Sequence, residues 1–249
     1  MPLTIGQVPD NIFEHPRLVA IYDALDPDRS DLDVYAGIAD ELGVRSVLDV
    51  GCGTGTFALI LASRGLAVTG VDPAAGSSQI ARAKAGAERV QWIHGDATAL
   101  PSMQVDLATM TGNVAQAIVD PPAWHGTLRG TWQALRPGGH LVFETRDPAN
   151  RAWEQWNFTE SRTVTEIDGF GAVESWPEVI DVRGPLVTFR STFRFASDGE
   201  VLTSESTLRF RERGEVVDSL IACGYRVDEV RDAPDRPGRE IVFFVRRPD

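Results

Sequence analysis

The stretch Val47-Leu48-Asp49-Val50-Gly51-Cys52-Gly53-Thr54-Gly55-Thr56 constrains this chain more than any other. Ser46 to Val50 is a short apolar run with one acid, and three glycines at alternate positions follow it. Such a run reads as a buried parallel strand. Phe57-Ala58-Leu59-Ile60-Leu61-Ala62 then opens an apolar helix. A strand that empties through glycines into a helix brings backbone N–H groups and a helix N-terminus close to a ligand. Asp72 ends the next strand, Ala67 to Val71. A carboxylate there can accept from both hydroxyls of a ribose, each charged hydrogen bond contributing roughly 1.5–3 kcal/mol.

Two cofactor classes use this unit, and the glycine spacing separates them. A dinucleotide-binding loop needs G-x-G-x-x-G. Here the third glycine falls one residue early and Thr56 holds the dinucleotide position. That leaves less room for a pyrophosphate and more for an uncharged group. VLDVGCGTG resembles the first motif of the class I S-adenosylmethionine-dependent methyltransferases. Leu135-Arg136-Pro137-Gly138-Gly139 before a strand is another mark of that family, and the resemblance covers roughly residues 40 to 146.

The resemblance implies an α/β fold: a doubly wound, seven-stranded, mostly parallel sheet that binds S-adenosyl-L-methionine. It places Asp49, Gly51, Cys52, Gly53, Gly55 and Thr56 at the cofactor, with Asp72 and Pro73 at the end of the second strand. Asp96 and Ala97, at the end of the third strand (Arg89 to Ile93), would meet the adenine. Thr111 and Gly112 follow the fourth strand, Val105 to Met110. Helices ahead of the first strand often cover the cofactor in this family. Tyr22, Arg29 and Tyr35 are therefore candidate lid residues, with core packing the alternative for each tyrosine. His94 reads as a strand-end packing residue.

Around that core, residues 1 to 10 read as a loosely held arm, and 1–45 as an N-terminal helical cap. Its helices run His15 to Leu25 and about Asp31 to Leu42. The core occupies 46–146 and 211–249. Ala123 to Leu135 is helical, Arg136-Pro137-Gly138-Gly139 ends that helix, and His140 to Phe143 is the fifth strand. Residues 147–210 are an insertion, and from Ser161 to Phe210 its pattern becomes alternating, an antiparallel meander. Its strands are Thr163 to Ile167, Val173 to Val182, Val187 to Phe195, and Val201 to Phe210. Pro177 implies an edge or a bulge there. The insertion would serve as a lid or join subunits, as related insertions do in small-molecule methyltransferases. Tyr225 to Val230 and Ile241 to Val245 make a closing antiparallel pair, which a plain dinucleotide fold lacks.

Composition narrows the partners. A formal charge of −12 repels phosphate backbones, so no nucleic-acid partner is expected. The arginines between 183 and 213 are interspersed with acids and read as a solvated face. No apolar run approaches the ~20 residues that span a bilayer, so no membrane partner is expected. Cys52 and Cys223 are the only cysteines, which argues against a disulfide framework and fits a cytoplasmic address. The four histidines lie apart without ligand spacing, so no metal is expected.

A methyl group on a sulfonium is already activated, so positioning carries the reaction and can be worth roughly 7–11 kcal/mol. A base is optional. Glu144 and Asn113 are the catalytic candidates. Asn113, Gln116, Glu144, Arg146, Trp153 and Trp156 are the substrate-binding ones, since sheets of this kind place ligands beyond their strand C-termini. Glu144 could accept a proton or bind an amine, and Arg146 a carboxylate or phosphate. The alternative is that both pair with solvent or neighbours, and that the tryptophans pack between core and insertion. The expected function is methyl transfer to N or O of a small molecule, with a homodimer through the insertion allowed. The rival readings are an NAD-dependent oxidoreductase and a non-catalytic S-adenosylmethionine-binding or assembly protein.

Overall fold

In the computed structural model, which describes residues 9–249, three helices precede the first strand: α1 (Asn11–Glu14), α2 (Pro16–Leu25) and α3 (Ser30–Glu41). The arm expected at residues 1 to 10 lies, up to residue 8, outside the described residues. The chain then alternates through β1 (Ser46–Val50), α4 (Thr56–Ser63), β2 (Ala67–Asp72), α5 (Ala75–Ala83) and β3 (Val90–His94). β4 (Val105–Met110), α6 (Val114–Ala117), α7 (Pro121–Ala134) and β5 (Leu135–Arg146) follow. The insertion holds α8 (Phe158–Ser161), β6 (Thr163–Ile167), β7 (Gly171–Arg183), β8 (Leu186–Phe195) and β9 (Val201–Arg209). The chain ends with α9 (Arg213–Ala222), β10 (Arg226–Asp232) and β11 (Glu240–Arg246).

The main sheet has the order β10-β11-β5-β4-β1-β2-β3, and the insertion forms a separate sheet, β6-β7-β8-β9. β11 runs antiparallel to both of its neighbours, the expected closing pair. Period-two alternation sorts the strand residues onto two faces. Leu48, Val50, Leu141 and Phe143 turn toward α7 and α9, packing with Trp124, Leu128 and Leu220. Val47, Leu107, Val142 and Val242 turn toward α3 and α4, packing with Leu32, Tyr35, Phe57 and Leu61. Phe143 stacks on Phe243 at 5.1 Å and meets Trp124 edge-on at 5.8 Å. Burying each such ring contributes roughly 1.5–3 kcal/mol.

The fifth strand departs from the sequence reading. The helix stops at Ala134, and Leu135 to Gly139 is already extended chain within β5. Leu135 pairs with Val105 across a register shift. The Gly138 N–H donates to the Arg247 carbonyl at 2.9 Å, and the Arg247 N–H to Gly139 at 2.8 Å. Those partners are far away in sequence, so local turn chemistry could not reveal them. In the insertion, β6 pairs only with Gly171 to Ser175, so Pro177 lies where β7 has become an edge, as expected.

The N-terminal helices join the two sheets. Leu18 and Ile21 of α2 pack among Ile167, Val173, Phe193 and Phe195 of the insertion. The Arg17 guanidinium lies 3.7 Å over the Phe195 ring and pairs with Asp198 at 2.7 Å. The Ile12 N–H donates to Ser204 Oγ at 2.9 Å. At the far end, buried Arg211 donates to the carbonyls of Ala115 (2.7 Å) and Ile118 (2.5 Å) and lies 4.5 Å over Trp124. The return of the insertion is thus pinned to α6.

Helix α7 approaches the third crossover so closely that Gly130 has no room for a side chain. A Cβ there would overlap the Ala97 carbonyl, which is backbone and cannot swing away. Gly130→Ala is expected to lower stability by about 2 kcal/mol or more. Gly214→Ala, in open space in α9, is expected to be neutral or to gain up to ~1 kcal/mol. Urea midpoints of the two variants check this contrast.

Candidate active site

The loop after β1 is held by its own backbone. The Gly51 and Cys52 N–H groups donate to the Val71 carbonyl at 2.8 and 3.2 Å, and the Gly55 N–H to Cys52 at 2.8 Å. Gly51, Gly53 and Gly55 all take left-handed φ values (72°, 52° and 80°), which favour glycine. Their surroundings differ. A Cβ on Gly51 would overlap Val114, and one on Gly55 would overlap the Trp92 ring, whereas nothing lies within 4 Å of one on Gly53. Two of the glycines therefore serve packing, and the middle one leaves open space.

Asp72 borders that space and is only 7% exposed. Its Oδ2 accepts from Gly53 N and its Oδ1 from Ala74 N, each at 2.8 Å. The Gly53 N–H is thus not bare. A carboxylate offers about four acceptor sites, so these bonds leave two for ligand hydroxyls. Burial raises the Asp72 carboxyl, and the two backbone bonds pull it down. Pro73 beside it is exposed. Burial pushes the Cys52 thiol far up, so it is no nucleophile.

Helices α1 and α2 close over this loop. Asp23 Oδ1 accepts from the Thr54 and Thr56 hydroxyls at 2.6 and 3.2 Å, and Lys84 Nζ lies 2.6 Å from Asp23 Oδ2. Glu14 accepts from Ala75 N and Gly76 N at 2.7 and 3.1 Å, holding α1 on the start of α5. Tyr22 meets the Phe13 ring at a tilt, 5.6 Å between centroids, and the charges acting on it are those of Arg29, Asp23, Asp72 and Asp26. Arg29 itself bonds Asp31 at 3.3 Å. Asp96 is exposed and accepts from Thr98 N at 2.8 Å, while Ala97 is buried. His94 is exposed rather than packed, because it ends β3, the edge strand of the sheet.

A second polar group stands at the ends of β1, β4 and β5, on the face toward α3. Asp49 shares the face of Val47, Thr109 that of Leu107, and Glu144 that of Val142. The Thr109 hydroxyl donates to Asp49 Oδ1 at 3.1 Å, and the Asn113 N–H to Glu144 Oε1 at 2.7 Å. Asp49 Oδ2, Glu144 Oε2, Asn113 Oδ1, Gln116 Nε2 and Tyr35 Oη are buried without a hydrogen-bond partner. Burial pushes the Asp49 carboxyl up to about 7 and the Glu144 carboxyl up to about 8. Tyr35 lies with this group, its hydroxyl raised by burial and then by Glu144, Asp235 and Glu240. The two candidate lid tyrosines are therefore separated, Tyr22 toward Asp72 and Tyr35 toward Glu144. Thr111 and Gly112 connect β4 to Asn113, whose φ of 67° is left-handed.

Arg146 is not a free cation. Glu240, its partner across β11, faces it at 3.7 Å and also takes Arg236 at 2.9 Å. Its guanidinium lies 5.5 Å over Trp156. Trp156 meets Phe189 at 4.8 Å and Trp153 meets Phe210 at 4.5 Å. Both tryptophans thus pack the segment after β5 against the insertion. Sequence reading missed Glu14, Asp23 and Glu240, and Arg211, read there as part of a solvated face, is buried instead; Ala75, Thr54, Arg146 and Ala115, which they respectively meet, are distant in sequence. An acid on an otherwise apolar strand, as in Glu240-Ile241-Val242-Phe243-Phe244, was the one local signal. Among the described residues no three His, Cys, Asp or Glu side chains group as metal ligands, and no helix is long and apolar enough to cross a membrane.

The raised carboxyls set a pH dependence. Above their ordinary range and below 7–8, the folded protein holds protons on Asp49 and Glu144 that the unfolded chain has released, so this contribution to stability is lost as pH rises through about 7 and 8. Asp49→Asn and Glu144→Gln, neutral at every pH, are expected to raise Tm relative to the parent more at pH 8.5 than at pH 5.5. Thermal melts of the ligand-free proteins test the sign.

A family model described as "Methyltransferase domain" matches residues 47–139. The cypemycin N-terminal methyltransferase of Streptomyces sp is 33% identical over 106 residues, 42% of this chain and 43% of that protein. The ubiquinone biosynthesis O-methyltransferase of Serratia proteamaculans (strain 568) is 32% identical over 115 residues, 44% and 46% of the two chains. The chain thus spans less than half the length of these curated relatives. Among solved structures, the sugar N-methyltransferase KedS8 from Streptoalloteichus sp ATCC 53650 superposes with a TM-score of 0.76 at 17% identity, covering 100% of this chain and 99% of that one. A S-adenosylmethionine-dependent methyltransferase from Clostridium acetobutylicum ATCC 824 gives 0.74 at 18% identity, covering 94% and 98%. At such identities the structural likeness speaks for the fold alone.

Proposed function

We propose, for a chain that belongs to the class I S-adenosylmethionine-dependent methyltransferase family, that it transfers a methyl group from S-adenosyl-L-methionine to nitrogen or oxygen of a small molecule. The observation that carries this reading is the open centre of the glycine loop at Gly53, bordered by the Asp72 carboxylate with two acceptor sites left. The hydroxyls of a nucleoside would complete that carboxylate. Asp72, with Pro73 beside it, would hold the ribose, and Asp96 with the Ala97 backbone would meet the adenine. The backbone of Gly51 to Gly55 and the free Oδ2 of Asp49 suit the amino-acid end, whose ammonium an unpaired buried carboxylate can hold. Thr111, Gly112 and Tyr22 complete the wall.

Bound, the cofactor supplies a methyl group already activated by its sulfonium. What the chain must do is exclude water and hold the acceptor in line. α1 and α2 close one side through Glu14 and Asp23. The insertion closes the other, pinned by Arg211 to α6 and by Leu18 and Ile21 to α2. Asn113, Gln116 and Glu144 face the acceptor, with Arg146, Trp153 and Trp156 shaping its outer wall.

A homodimer through the insertion and a cytoplasmic address belong to the same proposal. Val164, Ile180, Val182 and Val201, on the insertion, are among the few exposed large hydrophobics of the described residues. Cys52 and Cys223 are both free. A dinucleotide is disfavoured, since α4 begins at Thr56, where its loop needs a glycine.

Asp72→Ala is expected to weaken S-adenosylhomocysteine binding at least ~10-fold, about 1.4 kcal/mol. Calorimetry on the folded variant decides it, and an unchanged affinity would sink the assignment of Asp72 to the ribose.

A further inference from the structure

We infer that the acceptor is an amine, and that Glu144 Oε2 takes the proton its nitrogen must lose. This rests on the transferase reading above and names the substrate class of that same site.

The first observation is where unpaired polar atoms gather. Among the described residues, Tyr35, Asp49, Asn113, Gln116, Glu144 and Asp235 supply six of the eleven buried side-chain polar atoms without a partner. Buried polar groups are nearly always hydrogen-bonded, so a concentration of exceptions asks for a ligand. With Asp49 given to the cofactor, the rest belong to Glu144 and its strand: Asn113 N–H donates to Glu144 Oε1 at 2.7 Å, Tyr35 and Asp235 interact with its charge, and Gln116 Oε1 accepts from Arg146 N, two residues along β5, at 3.3 Å.

The second observation is their sign. Glu240 and Asp235 face Glu144 from β11 and the β10–β11 connection, and Tyr35 faces it from α3. The cations nearby are Arg146 on its own strand and Arg236 on that connection, and both are turned to Glu240, at 3.7 and 2.9 Å. Among the described residues Glu144 thus makes no ion pair, and its Oε2 is a buried carboxylate oxygen that an ammonium would complete. Burial, reinforced by Glu240 and Asp235, holds the Glu144 carboxyl near 8. That lies close enough to an alkylammonium for proton exchange, since a lysine-like amine titrates near about 10.4. An aliphatic alcohol is far too weak an acid to match it.

The step balances. The ammonium proton passes to Glu144 Oε2, and the N–H electron pair stays on nitrogen. That pair forms the N–C bond to the methyl carbon while the C–S pair leaves with sulfur. A methylated ammonium, a neutral thioether and a protonated Glu144 result, and solvent takes the proton back. The turn that holds Glu144 is Gly112-Asn113, whose Asn113 N–H donates to Oε1 at 2.7 Å. Gly112 has open space around it, and Asn113 is one of only two non-glycine residues with positive φ among those described.

The test uses the intact protein, methyl-labelled S-adenosylmethionine and a bacterial small-molecule extract, before and after its amines are capped with acetic anhydride. Label is expected in products that bind a cation exchanger, falling at least ~10-fold after capping. Label unaffected by capping, or held in neutral ethers or esters, overturns the amine assignment alone. No label from either extract, with S-adenosylhomocysteine still bound, overturns the transferase reading and the amine with it.

Glu144→Gln on the labelled amine fraction isolates the residue. Cofactor affinity should stay unchanged while kcat falls about 100-fold or more. The parent's kcat/KM should rise through pH about 8, whereas the variant's should keep rising until the amine itself titrates. Glu144→Asp should restore the parent's profile at reduced kcat, and it serves also if the glutamine variant misfolds. A merely structural Glu144 would leave the profile's shape unchanged, and that result would refute its role as proton acceptor.

Discussion

The Asp72 carboxylate ties the first two crossovers of the sheet into one unit. One oxygen closes the glycine loop through Gly53, and the other fixes the start of α5 through Ala74. A carboxylate this deeply buried is tolerable only when donors surround it, and each charged bond it gains is worth roughly 1.5–3 kcal/mol. Much else follows from that tie. With the loop fixed at β2, Gly51 can lie against Val114 and Gly55 against Trp92, so β4's connection and the edge strand are both indexed to the same turn. α2 then finds two hydroxyls, Thr54 and Thr56, at a set height and binds them through Asp23.

Buried polar groups near the strand ends fall into two sets. Asp72 stands with the glycine loop at the end of β2, whereas Glu144 at the end of β5 stands with Asn113 after β4, Gln116 of α6 and Tyr35 of α3. Between them lies Asp49 at the end of β1, one of its oxygens without a hydrogen-bond partner. Carboxylates kept this close without matching cations repel one another, and burial raises their proton affinity further. Both carboxyls therefore keep their protons above the ordinary carboxylate range.

The N-terminal helices join the glycine loop to the insertion. α2 touches the cofactor loop with Asp23 and the insertion with Leu18 and Ile21, so one helix is shared by both halves of the site. Arg211 does the corresponding work at the other end, a buried guanidinium on the last carbonyls of α6. Burial lowers its proton affinity to about 10, which leaves it charged at any physiological pH. The insertion is thus fastened at two points, to α2 and to α6.

Local chemistry in the sequence was enough for most of the architecture. Glycines at 51, 53 and 55 between an apolar run and an apolar helix specify strand, turn and helix because few other residues adopt left-handed φ. Alternation from Thr163 onward specifies the insertion, since period two admits only strands. The positions of Asp49, Asp72 and Glu144 at strand ends are likewise legible, because one buried acid in an apolar run must lie where a donor or ligand meets it. What only the tertiary structure decided is who meets whom. Glu240 sits beside Arg146, Asp23 beside Thr54, and Arg211 on α6 through contacts between residues distant in sequence. The same holds for the charge state of Glu144, set first by burial and then reinforced by Glu240, and for the early start of β5, paired with Arg247 from the far end of the chain. Desolvation and long-range pairing depend on what the folded chain brings near, and no local pattern of residues encodes that.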